Sequence, residues 1–275
     1  MTGAATAPSE GCTLDHVGVC ARSFADLLPL FAGELAGRWA NGGLAPGFRT
    51  SQLAFDGGTV ELMEPHEPEV DDFLLRYLDR RGPGPHHLTF EVDDLAADAA
   101  RVQAAGHRVV VDRIEVPTAG QRDVLLAPQD CQGVLVQLVQ RPGPHYDMRH
   151  EALPEPRVDR PSRLDHIALA TADPAASLAL LEGLLGGRRV GSSGESGPSW
   201  IDLAWPGDRR VRLLWATGPD DPVARWLDGR PGGFHHLAFT TDDPAAVAGA
   251  RPAPDGYEVP PDPRTGTRIV LGARA

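Results

Sequence analysis

The chain writes one passage twice. "GPGPHHLTFEVDDL" at 82–95 returns as "PGGFHHLAFTTDDP" at 231–244, and "TLDHVGV" at 13–19 returns as "RLDHIAL" at 163–169. From His16 to His166 is 150 residues and from His87 to His236 is 149, while the two motifs lie 71 and 70 residues apart within their copies. A register kept this closely restricts the chain to a tandem repeat of one folding unit. With 275 residues in all, each copy is long enough to bury a core. The repeat predicts a flexible N-terminus at 1–12, a first domain at 13–140, a proline-rich linker at 141–162 ("RPGPHYDMRHEALPEPRVDRPS") and a second domain at 163–275.

Apolar periodicity predicts the elements of a copy. "TLDHVGVC" alternates as a strand, and 24–35 has helical spacing. "TSQLAF" and "TVELME" flank "DGG" as a hairpin, and a helix at about 70–80 stops at "GPGP". The His-His strand, a helix at 94–105 and strands at 107–111, 122–127 and 133–140 follow. The alanine-rich stretch after the second Asp-Asp pair predicts a helix there as well. The expected fold is α+β, built from tandem strand–helix–three-strand (βαβββ) modules, with the second copy degenerate.

Strand side chains alternate between faces. In the first copy one face carries Val17, Val19, Val60, Leu62, Leu88, Phe90, Val92, Val134, Val136 and Leu138, all apolar. The opposite face carries His16, Glu61, His87 and Gln137, one polar residue from each of four strands. Inward polar groups cost free energy without partners. Two imidazoles, a carboxylate and an amide oxygen are a donor set for one divalent ion, with Co, Ni, Mn, Zn or Fe all acceptable. His86, on the apolar side, reads as structural. Glu61 is the first candidate for a catalytic base, and Glu91, on the same strand face as His87, is a weaker one.

These residues resemble the vicinal-oxygen-chelate superfamily of glyoxalases, bleomycin resistance proteins and dioxygenases. "FLLRYLDRRGPGPHHLTFEVDDL" and "APQDCQGVLVQLVQ" are most similar to methylmalonyl-CoA epimerases. The resemblance covers about 13–140 closely and 163–275 more loosely. It implies paired modules around a metal, with ligands at His16, Glu61, His87 and Gln137. The family usually has Glu where this chain has Gln137, and an amide cannot accept a proton as a carboxylate can.

The second copy departs further. "TVELME" becomes "RVRLLW", so Arg212 stands where Glu61 stood, and a guanidinium repels a dication. Matching "GYEVPPDPRTGTRIVLGARA" to 106–128 predicts that the chain ends before any counterpart of Gln137. This copy reads either as a structural half or, through Arg212 between two histidines, as an anion or substrate contact. Ring-cleaving and 4-hydroxyphenylpyruvate dioxygenases of the superfamily keep their iron in the second half, which counts against oxygen chemistry here.

Composition narrows the partners. A net charge of −12 disfavours nucleic acid and anionic membranes. The chain contains no lysine, so Schiff-base chemistry is excluded. Three cysteines without disulfide-like spacing, and a start lacking a signal-peptide pattern, predict a reduced, cytoplasmic setting. The expected partners are a small-molecule substrate and a second copy of the chain in a homodimer. The resemblance implies epimerisation or isomerisation next to a carbonyl through an enolate, on a cyclitol-like ketone or an acyl-CoA thioester. The alternatives are a glyoxalase-type lyase and a non-catalytic, drug-sequestering resistance protein.

Overall fold

The computed structural model describes residues 11–115, 120–141, 147–149, 151–193, 199–254 and 256–274. Most of the N-terminus expected to be flexible, and part of the linker, lie outside these residues.

The first copy runs β1 (Thr13–Cys20), α1 (Phe24–Leu28), β2 (Arg38–Ala45), β3 (Phe48–Phe55), β4 (Gly58–Pro65) and α2 (Phe73–Arg81). It continues with β5 (Gly84–Val92), α3 (Leu95–Ala104), β6 (Val109–Asp112), β7 (Asp123–Leu126) and β8 (Leu135–Gln140). Its strands form one eight-stranded sheet in the order β2-β3-β4-β1-β5-β8-β7-β6. The pairings β1–β4 and β5–β8, on either side of the central β1–β5 neighbours, are parallel. Gly57, with φ +83°, makes the tight turn between β3 and β4. The ten apolar residues assigned to one face are all buried. Their removal from water is the main stabilising contribution of this copy.

The second copy runs β9 (Arg163–Thr171), α4 (Pro174–Leu178), β10 (Arg188–Ser192), β11 (Ser199–Trp205), β12 (Arg209–Trp215) and α5 (Pro222–Leu227). β13 (Gly232–Thr241), β14 (Arg251–Ala253), β15 (Gly256–Val259) and β16 (Ile269–Ala273) complete it. The order β10-β11-β12-β9-β13-β16-β15-β14 repeats that of the first sheet strand for strand. The architecture is thus α+β with tandem modules, as the repeat predicts.

Four details differ from expectation. β2 carries Asn41-Gly42-Gly43 and shows no alternation, yet it pairs along β3 from Arg38↔Ala54 to Ala45↔Phe48. The run 24–35 is only briefly α-helical: Pro29–Glu34 forms a π turn, with Leu35 N–H donating to Leu30 O at 2.9 Å. Its counterpart Ala179–Leu184 does the same. The alanine-rich stretch of the second copy forms only a 3₁₀ turn, Pro244–Ala246. Gly249 (φ +80°), Pro252 and Pro254 follow too closely for a helix to propagate.

The fourth is a correction. The chain does not end before a counterpart of Gln137. β16 pairs in parallel with β13 just as β8 pairs with β5, so it is the last strand of the repeat. Leu88↔Val136 corresponds to Leu237↔Ile269, and Thr89↔Gln137 to Ala238↔Val270. The shortening is internal, and Val270 occupies the position of Gln137.

The chain gathers into two compact units, each drawing strands from both copies. One comprises Met1–Asp15, His87–Pro144 and Ala168–His235. Within it the Phe90 and Trp205 rings lie 5.3 Å apart, and Arg101 donates to Leu184 O at 2.5 Å. The other comprises His16–His86, His145–Ile167 and His236–Ala275. Within it Phe55 meets Phe239 at 5.1 Å, and Glu34 Oε2 accepts from Ala248 N–H at 3.0 Å. Among the described residues no helix is long and apolar enough to cross a membrane.

Candidate metal centre

Four adjacent strands of the first sheet, β4-β1-β5-β8, each contribute one of the expected residues. Parallel pairing sets Gly18 against Glu61, which puts Glu61 on the same face as His16, one alternation away. The His16 Nε2–Glu61 Oε2 distance is 3.5 Å. One ligand atom each from His16, Glu61 and His87 lies within 4.8 Å of the others. His16, His87 and Gln137 are 6%, 5% and 8% exposed, and the Glu61 side chain 12%. Two nitrogens and a carboxylate oxygen gathered on a buried face suit a divalent ion.

Gln137 is held from both ends. Its Nε2 donates to Asp123 Oδ2 at 2.5 Å, and its Oε1 accepts from Thr89 Oγ1 at 2.7 Å. Asp123 is fully buried and also accepts from Arg113 Nε and Nη2 at 2.5 and 2.6 Å.

Glu61 has a partner that sequence reading passed over. Gln52 is its register partner on β3 and donates from Nε2 to Glu61 Oε1 at 3.3 Å. The hairpin pattern held the signal: folding "TSQLAF" onto "TVELME" about the Asp56-Gly57 turn sets Gln52 opposite Glu61.

Glu91 falls outside the cluster. Its carboxylate accepts from Arg141 Nε at 3.3 Å, and both side chains are about one-third exposed, 28% and 34%. His86 packs edge-on against Tyr77 and Phe73, with ring centroids 4.4 and 6.4 Å away. Burial pushes its imidazole down to about 4 against the opposing charge of Glu61, so the ring is neutral near pH 7. Next to these groups an apolar cluster of Cys20, Met63, Leu74 and Leu78, with Phe48, Phe73 and Tyr77 packed on it, lines the side of α2.

In the second sheet His166 and His236 persist, with ring centroids 5.5 Å apart. Arg212 does not stand as an open cation. It forms a two-point pair with its register partner Asp202 at 2.7 and 2.8 Å, and its guanidinium lies 4.1 Å from the Trp200 ring centroid. Asp202 and Arg212 occupy the positions of Gln52 and Glu61. Among the described residues, His16, Glu61 and His87 form the one cluster of three or more such ligand residues.

Residues 15–125 match one family model and residues 163–269 another, both described as the Glyoxalase/Bleomycin resistance protein/Dioxygenase superfamily. The chain is 26% identical over 141 residues to the uncharacterized protein YqjC of Bacillus subtilis, covering 50% of this chain and 98% of that protein. It is 32% identical over 99 residues to the ethylmalonyl-CoA/methylmalonyl-CoA epimerase of Cereibacter sphaeroides, covering 32% of this chain and 72% of that protein. It spans about half the length of the mammalian mitochondrial methylmalonyl-CoA epimerases it also matches. Among solved structures, a mutant 4-hydroxymandelate synthase from Streptomyces coelicolor aligns at a TM-score of 0.59 and 17% identity, covering 86% of this chain and 72% of that one. That likeness is one of fold alone.

Proposed function

Because the chain belongs to the Glyoxalase/Bleomycin resistance protein/Dioxygenase superfamily, we propose that its first copy is a metal-dependent epimerase or isomerase acting next to a carbonyl group. The observation that carries this reading is the buried His16–Glu61–His87 cluster, which is matched in the second copy by two histidines and an ion pair. We assign His16, Glu61, His87 and Gln137 as the residues that hold one divalent ion. Such an ion, when bound, withdraws electrons from a substrate carbonyl and acidifies the adjacent C–H.

The side chains divide the remaining work. Glu61 moves the proton, because it is the carboxylate of the cluster; its Oε1 is steadied by Gln52 and its Oε2 faces His16. Gln137 contributes an oxygen and cannot serve as base. Glu91 is neutralised by Arg141 and stands second to Glu61. The cluster of Cys20, Met63 and the α2 residues, packed on His86, supplies an apolar flank beside these groups, and low-dielectric surroundings strengthen electrostatic interactions.

For the substrate, the epimerase relative favours an acyl-CoA thioester over a free ketone such as a cyclitol. Of the three arginines of α2, Arg80 and Arg81 are exposed in its last turn and open to phosphate, whereas Arg76 pairs with Asp72. The test is incubation in deuterium oxide with methylmalonyl-CoA and, in parallel, with cyclic ketones. The reading expects deuterium at the carbon next to the carbonyl, slowed at least 100-fold in Glu61→Gln with metal retained. Full exchange in Glu61→Gln removes its role as base, and consumption of dioxygen in turnover contradicts the reaction class.

A further inference from the structure

Four residues form a chain of contacts behind the metal centre: Arg113, Asp123, Gln137 and Thr89. We infer that Asp123 is a positioning residue that turns the Gln137 amide oxygen toward the ion and strengthens it as a donor; this rests on the metal-centre reading above.

The orientation follows from which groups can donate. An ionised carboxylate only accepts, so the Gln137 atom 2.5 Å from Asp123 Oδ2 is the NH₂ nitrogen. The other end of the amide is therefore the oxygen, and it accepts from Thr89 Oγ1 at 2.7 Å. A carbonyl oxygen has two lone pairs, so one remains for a ligand on the face shared with His87. Asp123 cannot turn away to release the amide, because Arg113 fixes both of its oxygens from the other side. An N–H held by a negative oxygen also shifts electron density toward the amide oxygen. This is the polarisation by which outer partners raise the basicity of metal ligands.

The second sheet is an internal control. Register places Ala238 at the position of Thr89 and Val270 at that of Gln137. On the neighbouring strands Gly256 stands at the position of Asp123, since Tyr257↔Leu271 corresponds to Val124↔Leu138. Ala253 stands at the position of Arg113, because it pairs with Gly256 one step beyond Pro252↔Tyr257, the counterpart of Asp112↔Val124. All four polar residues are replaced together by small or apolar ones. The strand framework that pairs β14 with β15 and β15 with β16 survives this replacement. Holding these strands together therefore does not explain Asp123, and a task shared with Gln137 does.

The test titrates metal-stripped full-length protein with cobalt(II) in competition with a chelator and records the visible absorption spectrum. Asp123→Asn, confirmed folded by circular dichroism, should weaken cobalt affinity about 10- to 100-fold and alter the absorption bands. Gln137→Glu should also weaken it, because two carboxylates then face each other across a hydrogen-bonding distance. Combining Gln137→Glu with Asp123→Asn should restore affinity to within a few-fold of the unaltered protein, because an amide then faces a carboxylate again. That rescue separates positioning from a merely structural role, and it reports even if Asp123→Asn alone folds poorly. Unchanged affinity and spectrum in folded Asp123→Asn, or absence of rescue in a folded double variant, overturns the inference and leaves the metal centre standing. If the unaltered protein takes up no cobalt, the functional reading fails and this inference falls with it.

Discussion

The two sheets have the same strand order and the same pair of histidines, yet their polar faces carry opposite chemistry. In the first, Glu61 is steadied by a neutral amide, Gln52, and faces two imidazoles. In the second, the same register positions hold Arg212 and Asp202, which satisfy each other. The difference teaches that a pair of histidines does not by itself make a donor set for a metal ion. The first face sets the Glu61 carboxylate and an oriented amide oxygen beside the imidazoles, a donor set that suits a cation. The second has, at the same positions, a closed pair of zero net charge leaning on Trp200. A buried pair of this kind is tolerated because each partner satisfies the other, not because the pair is strongly stabilising.

The comparison is broken most severely by moving the second sheet's charges into the first. Gln52→Asp with Glu61→Arg should fold, because the register pairing allows the same two-point contact. It should also lose metal altogether, at least 1,000-fold in affinity, as read by dialysis and elemental analysis. Retained metal would show that Glu61 is dispensable. The reverse exchange sharpens the same point: Arg212→Glu, Asp202→Gln and Val270→Gln together should add a second, weaker bound equivalent to the chain. No uptake there would mean that the four positions alone do not specify a site.

A smaller effect is expected from Arg212→Leu. It strands Asp202, which is 6% exposed. The cost should be about 2 kcal/mol in urea unfolding, less than for a wholly buried pair because the guanidinium is partly solvated. Metal content should not change. A loss of metal without a loss of stability would make Arg212 part of the functional centre.

The smallest effect concerns acid. Burial holds His107 below its ordinary value of 6.5, against the opposing influence of Asp130. The folded state therefore binds this proton less readily than the unfolded chain. Its contribution to stability is complete above about pH 6.5 and is lost as pH falls through that value toward the lower folded one. His107→Gln should flatten the dependence of the unfolding midpoint on pH in that window. An unchanged slope would show that the ring is no less basic in the folded chain.

Much of this was legible in the sequence. The repeat fixed the number of copies, and alternation separated Val17, Leu62 and Leu88 from His16, Glu61 and His87, because a strand must send neighbours to opposite faces. What escaped were features set by hydrogen-bonded partners rather than by local pattern. β2 hides because Asn41-Gly42-Gly43 has no periodicity, and only β3 makes it a strand. β16 was misplaced because "RIVLGA" resembles the wrong strand in composition, and only its pairing with β13 identifies it. Gln52 and Asp123 are polar strand residues whose meaning lies wholly in the side chain opposite.

The central claim is that one copy binds metal and the other does not. It is tested most directly by counting divalent ions per chain in purified His87→Ala and His236→Ala, beside the unaltered protein. The account predicts about one ion in the unaltered protein, none in His87→Ala and about one in His236→Ala. Equal loss from the two variants, or full retention in His87→Ala, would contradict it.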